Sequence, residues 1–325
     1  MKILFIQFAA IGDVLMCTPA IRVFRKSYPD AKISFIVGKN AFHTLENNYN
    51  IDNLIVVDIK GSHWNYLKFL IKIIMNHYDY VIDFQKNPRT AVISILSLAK
   101  NRISFSGKRR NFAYTNLITP PNVNVYAGIK KLTLLKPLGI ENSSDFLPEM
   151  YINNADKLFA ENLWKRFELE DFVIAVSPIS RKSYKRWYSE GFARIFDMLI
   201  ENYNAKLLFT WGPNEKHYVE EIINLMKNEV KLDYNISSIK QLHALFEKSN
   251  LFIGNDNGPR HIAMTAGIST IGIFGHPYPT HWTPPGCKNH KYIQGKIRGI
   301  TNLKYEEVLV EIRSFIDELR NSKIL

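Results

Sequence analysis

The sequence predicts an α/β protein built as two doubly wound, parallel-sheet domains of Rossmann-like type. Three observations carry the prediction. Apolar runs of strand length alternate with longer stretches of helical periodicity along nearly the whole chain, the pattern of a sheet whose strands are joined by crossover helices. The alternation pauses once, after the Pro137/Gly139 break, and then resumes. At 325 residues and 46% hydrophobic content, the chain can fill two cores and is long for one.

Residues 2–8 read as a buried strand, and 9–13 as the turn into a helix over 14–28, where Pro19 requires a kink or a delayed start. Strands follow at 32–37, 53–57, 80–83 and 102–105, separated by helical stretches near 41–48, 66–75 and 88–99. A helix over 125–135 closes this half, and 145–150, with Pro148, is a crossing segment. The boundary is placed near residue 155, giving domains 1–155 and 156–325. The second half reads as helix 154–167, strand 172–176, helix 189–203, strand 205–210 and helices 215–227 and 238–248. Then comes the stretch from 250 to 276. An apolar run stops at Gly254, Asn255-Asp256-Asn257-Gly258 has turn and cap chemistry, a helix starts near Gly258 with Pro259 in its first turn, and a second strand follows. Residues 305–320 place Val308, Ile312, Phe315, Ile316 and Leu319 on one helical stripe.

Cys17 and Cys287 are far apart and match no paired spacing. Neither a disulfide framework nor a zinc cluster is indicated, and a reducing cytoplasmic setting fits. Residues 2–8 are too short for a secretory h-region, and no apolar run reaches the roughly 18 residues of a membrane span, so a soluble or peripheral protein is expected. The net charge of +12 is uneven: from Phe84 to Ile140 there are ten cations, Lys108, Arg109 and Arg110 among them, and no Asp or Glu. Such a block favours nucleic acid, acidic lipid or a phosphorylated glycan, although a solvated basic face has the same composition.

Four stretches hold candidate chemistry. In Ile11-Gly12-Asp13-Val14-Leu15, Asp13 stands just past the carboxyl end of the first strand, where it either caps a helix or faces a ligand. Ser180 to Trp187 is a basic loop with Arg181, Lys185 and Arg186, anchored by Trp187. Thr210, Gly212 and Glu215 lie at another strand end, and Glu215 suits the first turn of a helix on dipole grounds alone. The helix after Asp256, Asn257 and Gly258 offers first-turn amides without internal partners, next to His261. At the end of a parallel strand that is a natural phosphate site.

Asp256-x-Gly258-x-x-His261-x-Ala263 with Ile273-Phe274-Gly275 resembles the C-terminal signature of glycosyltransferase family 9, the heptosyltransferase-like enzymes. Ile11 to Leu15, followed by Thr18-Pro19-Ala20-Ile21-Arg22, is similar to the N-terminal signature of the same family. The resemblance implies the GT-B architecture, two Rossmann-like domains facing across a cleft, with an acceptor-side first domain and a nucleotide-sugar-binding second one. In such proteins the last helix often crosses back onto the first domain. It implies Asp13 as general base, and Lys185 on the donor diphosphate, with Arg181 and Arg186 weaker candidates. Asp256, Asn257, Gly258 and His261 would hold the diphosphate, with Gly12 beside the donor and Glu215 on the ribose next to Thr210 and Gly212. Lys108, Arg109 and Arg110 would face a phosphorylated lipid-linked acceptor at the inner face of the cytoplasmic membrane. The implied reaction is an inverting transfer without metal or other cofactor, most often of heptose from ADP-heptose to a lipopolysaccharide core. This chain departs from the family at Gln7-Phe8-Ala9-Ala10, at Asn257 and at Gly275-His276-Pro277-Tyr278.

Other classes fit less well. A nicotinamide enzyme would carry Gly-x-Gly-x-x-Gly after the first strand, and this chain does not. A nucleic-acid binder would explain the basic block but gives Asp13 and the Asp256 turn no task, so no nucleic-acid partner is expected. A metal-dependent GT-A enzyme would need paired acidic ligands, which Asn255-Asp256-Asn257 does not supply.

Overall fold

The computed structural model describes all residues except 59–61, 142, 231, 276–277, 296–298 and 325. His276 and Pro277 of the departing turn thus lie outside the described residues. The chain divides into two units, Met1–Tyr151 and Ile152–Leu325.

In the first unit, β1 (Lys2–Ile6), β2 (Lys32–Gly38), β3 (Asn53–Val57), β4 (Tyr80–Asp83), β5 (Asn101–Phe105) and β6 (Asn116–Ile118) form a parallel sheet in the order β3-β2-β1-β4-β5-β6. The order reverses between β1 and β4, so their carboxyl ends flank the place where open α/β sheets take ligands. Alternate residues of β1 go to opposite layers, as the pleat requires. Ile3 and Phe5 pack with Ile21 and Phe24 of α2 (Thr18–Ser27). Leu4 and Ile6 pack with Ile73 of α3 (His63–Met75) and Ile93 of α4 (Pro88–Leu96).

The helix expected over 14–28 is two helices: α1 (Ile11–Leu15) precedes α2, and Pro19 occupies the first turn of α2, where a missing N–H costs no hydrogen bond. The delayed start is therefore the outcome. Cys17, between the two, is fully buried with its thiol 3.3 Å from the Asp13 carbonyl, and burial pushes its pKa up to about 12. The helix expected near 41–48 is a 3₁₀ turn, Lys39–Thr44. The one expected over 125–135 is α5 (Ala127–Leu132) running into a 3₁₀ segment that ends on Leu138.

In the second unit, β7 (Val173–Ser177), β8 (Lys206–Phe209), β9 (Leu251–Asn255), β10 (Ser269–Phe274) and β11 (His290–Gln294) form a parallel sheet ordered β11-β10-β9-β7-β8. This order reverses between β7 and β9. Among the described residues, six α-helices accompany the sheet: α6 (Asn154–Arg166), α7 (Ser189–Tyr203), α8 (Lys216–Leu225), α9 (Ile239–Lys248), α10 (Gly258–Thr265) and α11 (Tyr305–Asn321). The stripe of α11 is as expected: all five residues enter the second unit's own core, where α11 meets α7 and β11. The edge strands β6 and β11 went unforeseen: β6 is only three residues long, and β11, His-Lys-Tyr-Ile-Gln, lacks a continuous apolar run. Among the described residues, no helix is long and apolar enough to cross a membrane.

Candidate functional site

The second unit's site is assembled where its strand order reverses. Ser177 at the end of β7 pairs in register with Gly254 of β9, and a Cβ on Gly254 would lie 2.5 Å from the Ser177 carbonyl oxygen. Glycine is what permits this approach. Beyond it, Asn255, Asp256 and Asn257 each do something different. The Asn255 side chain accepts the Trp187 N–H at 3.1 Å and donates to the Pro178 carbonyl at 2.8 Å. It thereby pins both ends of the basic loop. Asn257 caps α10 by accepting the Arg260 N–H at 3.2 Å, and donates to Ser177 Oγ at 2.9 Å and the Ile179 carbonyl at 2.8 Å. Asp256, only 6% exposed, accepts from the Lys185 ammonium at 2.5 Å.

Lys185 reaches Asp256 from a one-turn 3₁₀ helix, Ser183–Lys185, and the next two residues are fixed by their own contacts. The Arg186 guanidinium donates to the Ser180 carbonyl at 2.6 Å and lies 3.9 Å from the Tyr218 ring centre. Trp187, 2% exposed, donates from Nε1 to the Leu303 carbonyl at 2.9 Å. An ammonium has three N–H donors. The ion pair with Asp256 aims this one at the start of α10 without exhausting it. Gly258 opens that helix, and a Cβ there would meet nothing within 4 Å.

His261, in the same first turn, is 5% exposed, and its Nδ1 is buried with no hydrogen-bond partner among the described residues. Its ring centre lies 5.2 Å from that of Trp282. Burial, then the charges of Arg260 and Lys185, push its pKa down to about 4, so the imidazole is neutral at pH 7. Sequence reasoning passed over Arg260, which is fully buried and donates to the Trp282 carbonyl and Thr283 Oγ1, both at 3.0 Å. A lone arginine in an apolar helix carries no motif; only the Gly272 gap beside its Nε, 2.7 Å from a would-be Cβ, explains how it fits.

Thr210 and Glu215 are more engaged than the sequence suggests. Thr210 Oγ1 donates to the Val176 carbonyl at 3.1 Å, and the Glu215 carboxylate accepts the Gly212 N–H at 3.0 Å. Arg181 is exposed.

In the first unit, Asp13 is half-buried in the first turn of α1, and the Ala10 N–H donates to its carboxylate at 3.4 Å, a long capping bond. Gly12 is buried inside the same helix. The turn before it is braced from three sides. Phe8 donates to Gln85 Oε1 at 2.8 Å, Gly38 donates to the Phe8 carbonyl at 3.0 Å, and Gln7 Nε2 donates to the Ala9 carbonyl at 2.6 Å. Gln7 in turn accepts from Lys131, a lysine only 7% exposed, at 3.0 Å. Asp83, at the carboxyl end of β4, is fully buried and takes N–H bonds from Gln85 and Lys86 at 2.9 Å and the Tyr114 hydroxyl at 2.6 Å. Burial holds its carboxyl above the usual range against those bonds.

The basic window is not one surface. Lys131 is buried, Lys86 donates to the Phe105 carbonyl and Asn111, and Arg102 donates to the Ala99 and Ala113 carbonyls. Lys108 and Arg109 are exposed, while Arg110, with φ +62°, donates to the Lys86 carbonyl at 3.0 Å.

The buried histidines set a pH response. Burial takes His261 and His243 down to about 4 and His290 to about 3, against an ordinary value of 6.5, and all three lie in the second unit. Unfolding returns them to that value, so below about pH 6.5 the unfolded chain binds more protons and stability falls as pH falls toward 4. Each histidine adds about 1.4 kcal/mol per pH unit inside that window. Denaturant titrations from pH 7 to 4.5 should show this slope, and His243→Gln should remove about one proton from it.

The family model described as glycosyltransferase family 9 (heptosyltransferase) matches residues 67–310. Lipopolysaccharide heptosyltransferase 3 of Escherichia coli K12 is 26% identical over 291 residues, covering 84% of this chain and 82% of that protein. A family 9 glycosyl transferase structure from Veillonella parvula superposes with TM-score 0.86 at 23% identity, covering 98% of this chain and 97% of that one. The structure of E. coli heptosyltransferase WaaC with ADP gives 0.72 at 16%, covering 99% and 98%.

Proposed function

The chain belongs to glycosyltransferase family 9, the heptosyltransferase family, and is a glycosyltransferase of the GT-B fold; from that premise we propose that it transfers heptose from ADP-heptose to a lipopolysaccharide core acceptor, with inversion and without a metal. The relative active on lipopolysaccharide and the related structure holding ADP support the choice of acceptor and nucleotide. The observation that carries the reading is the group at the start of α10: an ammonium held by a buried carboxylate, a neutral histidine with an unmatched ring nitrogen, and open space over Gly258.

In this reading the α10 amides and Lys185 take the diphosphate. Lys185 then neutralises the charge that grows on the leaving group, the task a divalent cation has in metal-dependent transferases. Asn257 keeps the helix start in place, Arg181 adds a second cation, and the Thr210–Gly212–Glu215 turn receives the nucleoside. The first unit supplies the base. Asp13, steadied by the Ala10 amide with Gly12 behind it, takes the acceptor hydroxyl's proton as that oxygen attacks the anomeric carbon. Lys108, Arg109 and Arg110 attract the acceptor's phosphates at the inner face of the cytoplasmic membrane.

The test is turnover of purified protein with a panel of nucleotide sugars and a deacylated core acceptor, the product anomer read by NMR. ADP-heptose should be consumed with inversion, and EDTA should leave the rate unchanged. Consumption of a different nucleotide sugar would assign another transferase of the same family. Loss of activity in EDTA, restored by magnesium or manganese, would refute the metal-independent reading.

A further inference from the structure

Helix α3 is apolar on both sides, yet only one side is covered. Ile73 is buried in the sheet layer, with Tyr66, Phe69 and Leu70 packed beside it. On the opposite side Trp64, Leu67, Ile71 and Met75 are 62%, 47%, 47% and 70% exposed. Their spacing of three, four and four residues puts them on one stripe of the helix. The neighbouring helix repeats the pattern. α4 packs on α3, buries Ile93, and leaves Val92 and Ile95 exposed, as is Leu98 in the turn after it. Stability of the unit explains neither set, because each helix already has a covered apolar face.

The charge carried by these two helices has one sign. Lys68, Lys72, Arg89 and Lys100 are exposed, and neither 63–75 nor 88–100 contains an Asp or Glu. The Lys68 ammonium lies 5.6 Å from the Trp64 ring centre, an aromatic and a cation at the same level of the surface. We propose that the outward face of the α3–α4 layer docks on an anionic lipid bilayer. Trp64, Leu67, Ile71 and Met75 enter the headgroup and acyl boundary, while the lysine stems lie along the apolar stripe and their ammonium groups stay at the phosphates. A second copy of the chain is the poorer occupant, since a twofold contact would set these cations against their own images with no carboxylate on either side. The inference does not rest on the identity of donor or acceptor.

Sedimentation of the full chain with vesicles decides it. The protein should pellet with phosphatidylethanolamine vesicles containing phosphatidylglycerol and far less with phosphatidylcholine alone. Ile71→Ser with Met75→Ser should lower that binding at least about tenfold. Lys68→Gln with Lys72→Gln should weaken it at low salt and matter less at high salt. All four positions are exposed, so melting temperature and turnover of a deacylated acceptor should stay at the parental level, and the vesicle result stands even if the proposed sugar is wrong. Absence of binding to the anionic vesicles overturns the inference, and so does equal binding by parent and serine variant. A concentration-dependent dimer abolished by the serine substitutions also overturns it and assigns the face to self-association.

Discussion

Asp13→Asn should cut transfer by roughly a hundred- to ten-thousand-fold, the range for loss of a general base, while donor affinity stays near the parental value. The substitution is nearly isosteric, and an asparagine oxygen can still accept the Ala10 N–H, so the capping contact at 3.4 Å survives. That bond is long and the aspartate half-buried, so stability should change little. A fall in kcat with unchanged melting and unchanged nucleotide titration identifies a group that acts on the acceptor proton. If the variant transfers sugar at the parental rate, Asp13 is a cap and nothing more. If it melts early, the loop from Gln7 to Ala10 depends on the carboxylate, and the catalytic assignment must be tested by pairing the variant with an acceptor of lower hydroxyl pKa, whose rate a lost base would restore in part.

Lys185→Met should lower kcat by roughly a hundred- to a thousand-fold, the scale observed when one preorganised transition-state partner is removed. The ion pair complicates the reading, because Asp256 is then left as a buried carboxylate without its cation, and a broken buried pair destabilises by about 3–5 kcal/mol. Lys185→Met combined with Asp256→Asn separates the effects. Neutralising the orphaned carboxylate should return most of the stability and none of the rate. Recovery of the rate along with the stability would show that Lys185 serves the fold and leaves the diphosphate to the helix amides.

Much of the architecture was legible because strand length and helical periodicity depend on local sequence. β4 was read at its observed bounds, and α11 within a residue, since an apolar run between turn signals and a five-residue stripe leave little choice. What escaped depends on partners distant in sequence. β6 and β11 exist because β5 and β10 each present an open edge, which no propensity in Asn116–Ile118 or His290–Gln294 announces. The destination of α11 escaped likewise: its apolar period was plain, the surface that would accept it was not. At the candidate site, Lys185 and Asp256 were each visible as motif members, but their contact spans 71 positions of sequence. Asn255 reads in the sequence as turn chemistry, yet it holds the basic loop from 77 and 68 residues away. In the sequence Lys131 is one cation of a basic block, and only the fold shows that it is buried and bonded to Gln7, in the turn leading to Asp13.

The two cysteines fall one to each unit. A thiol reacts as thiolate, and Cys17 is sealed from solvent with a pKa near 12, so an alkylating reagent meets it only when the structure around α1 and α2 opens. Cys287 is half-buried, its thiol raised by burial, and a reagent reaches it without any opening, so its labelling serves as an internal reference. The chain therefore carries one gated thiol beside one open one, and the ratio of their labelling rates under native conditions tells how often the structure around α1 and α2 opens.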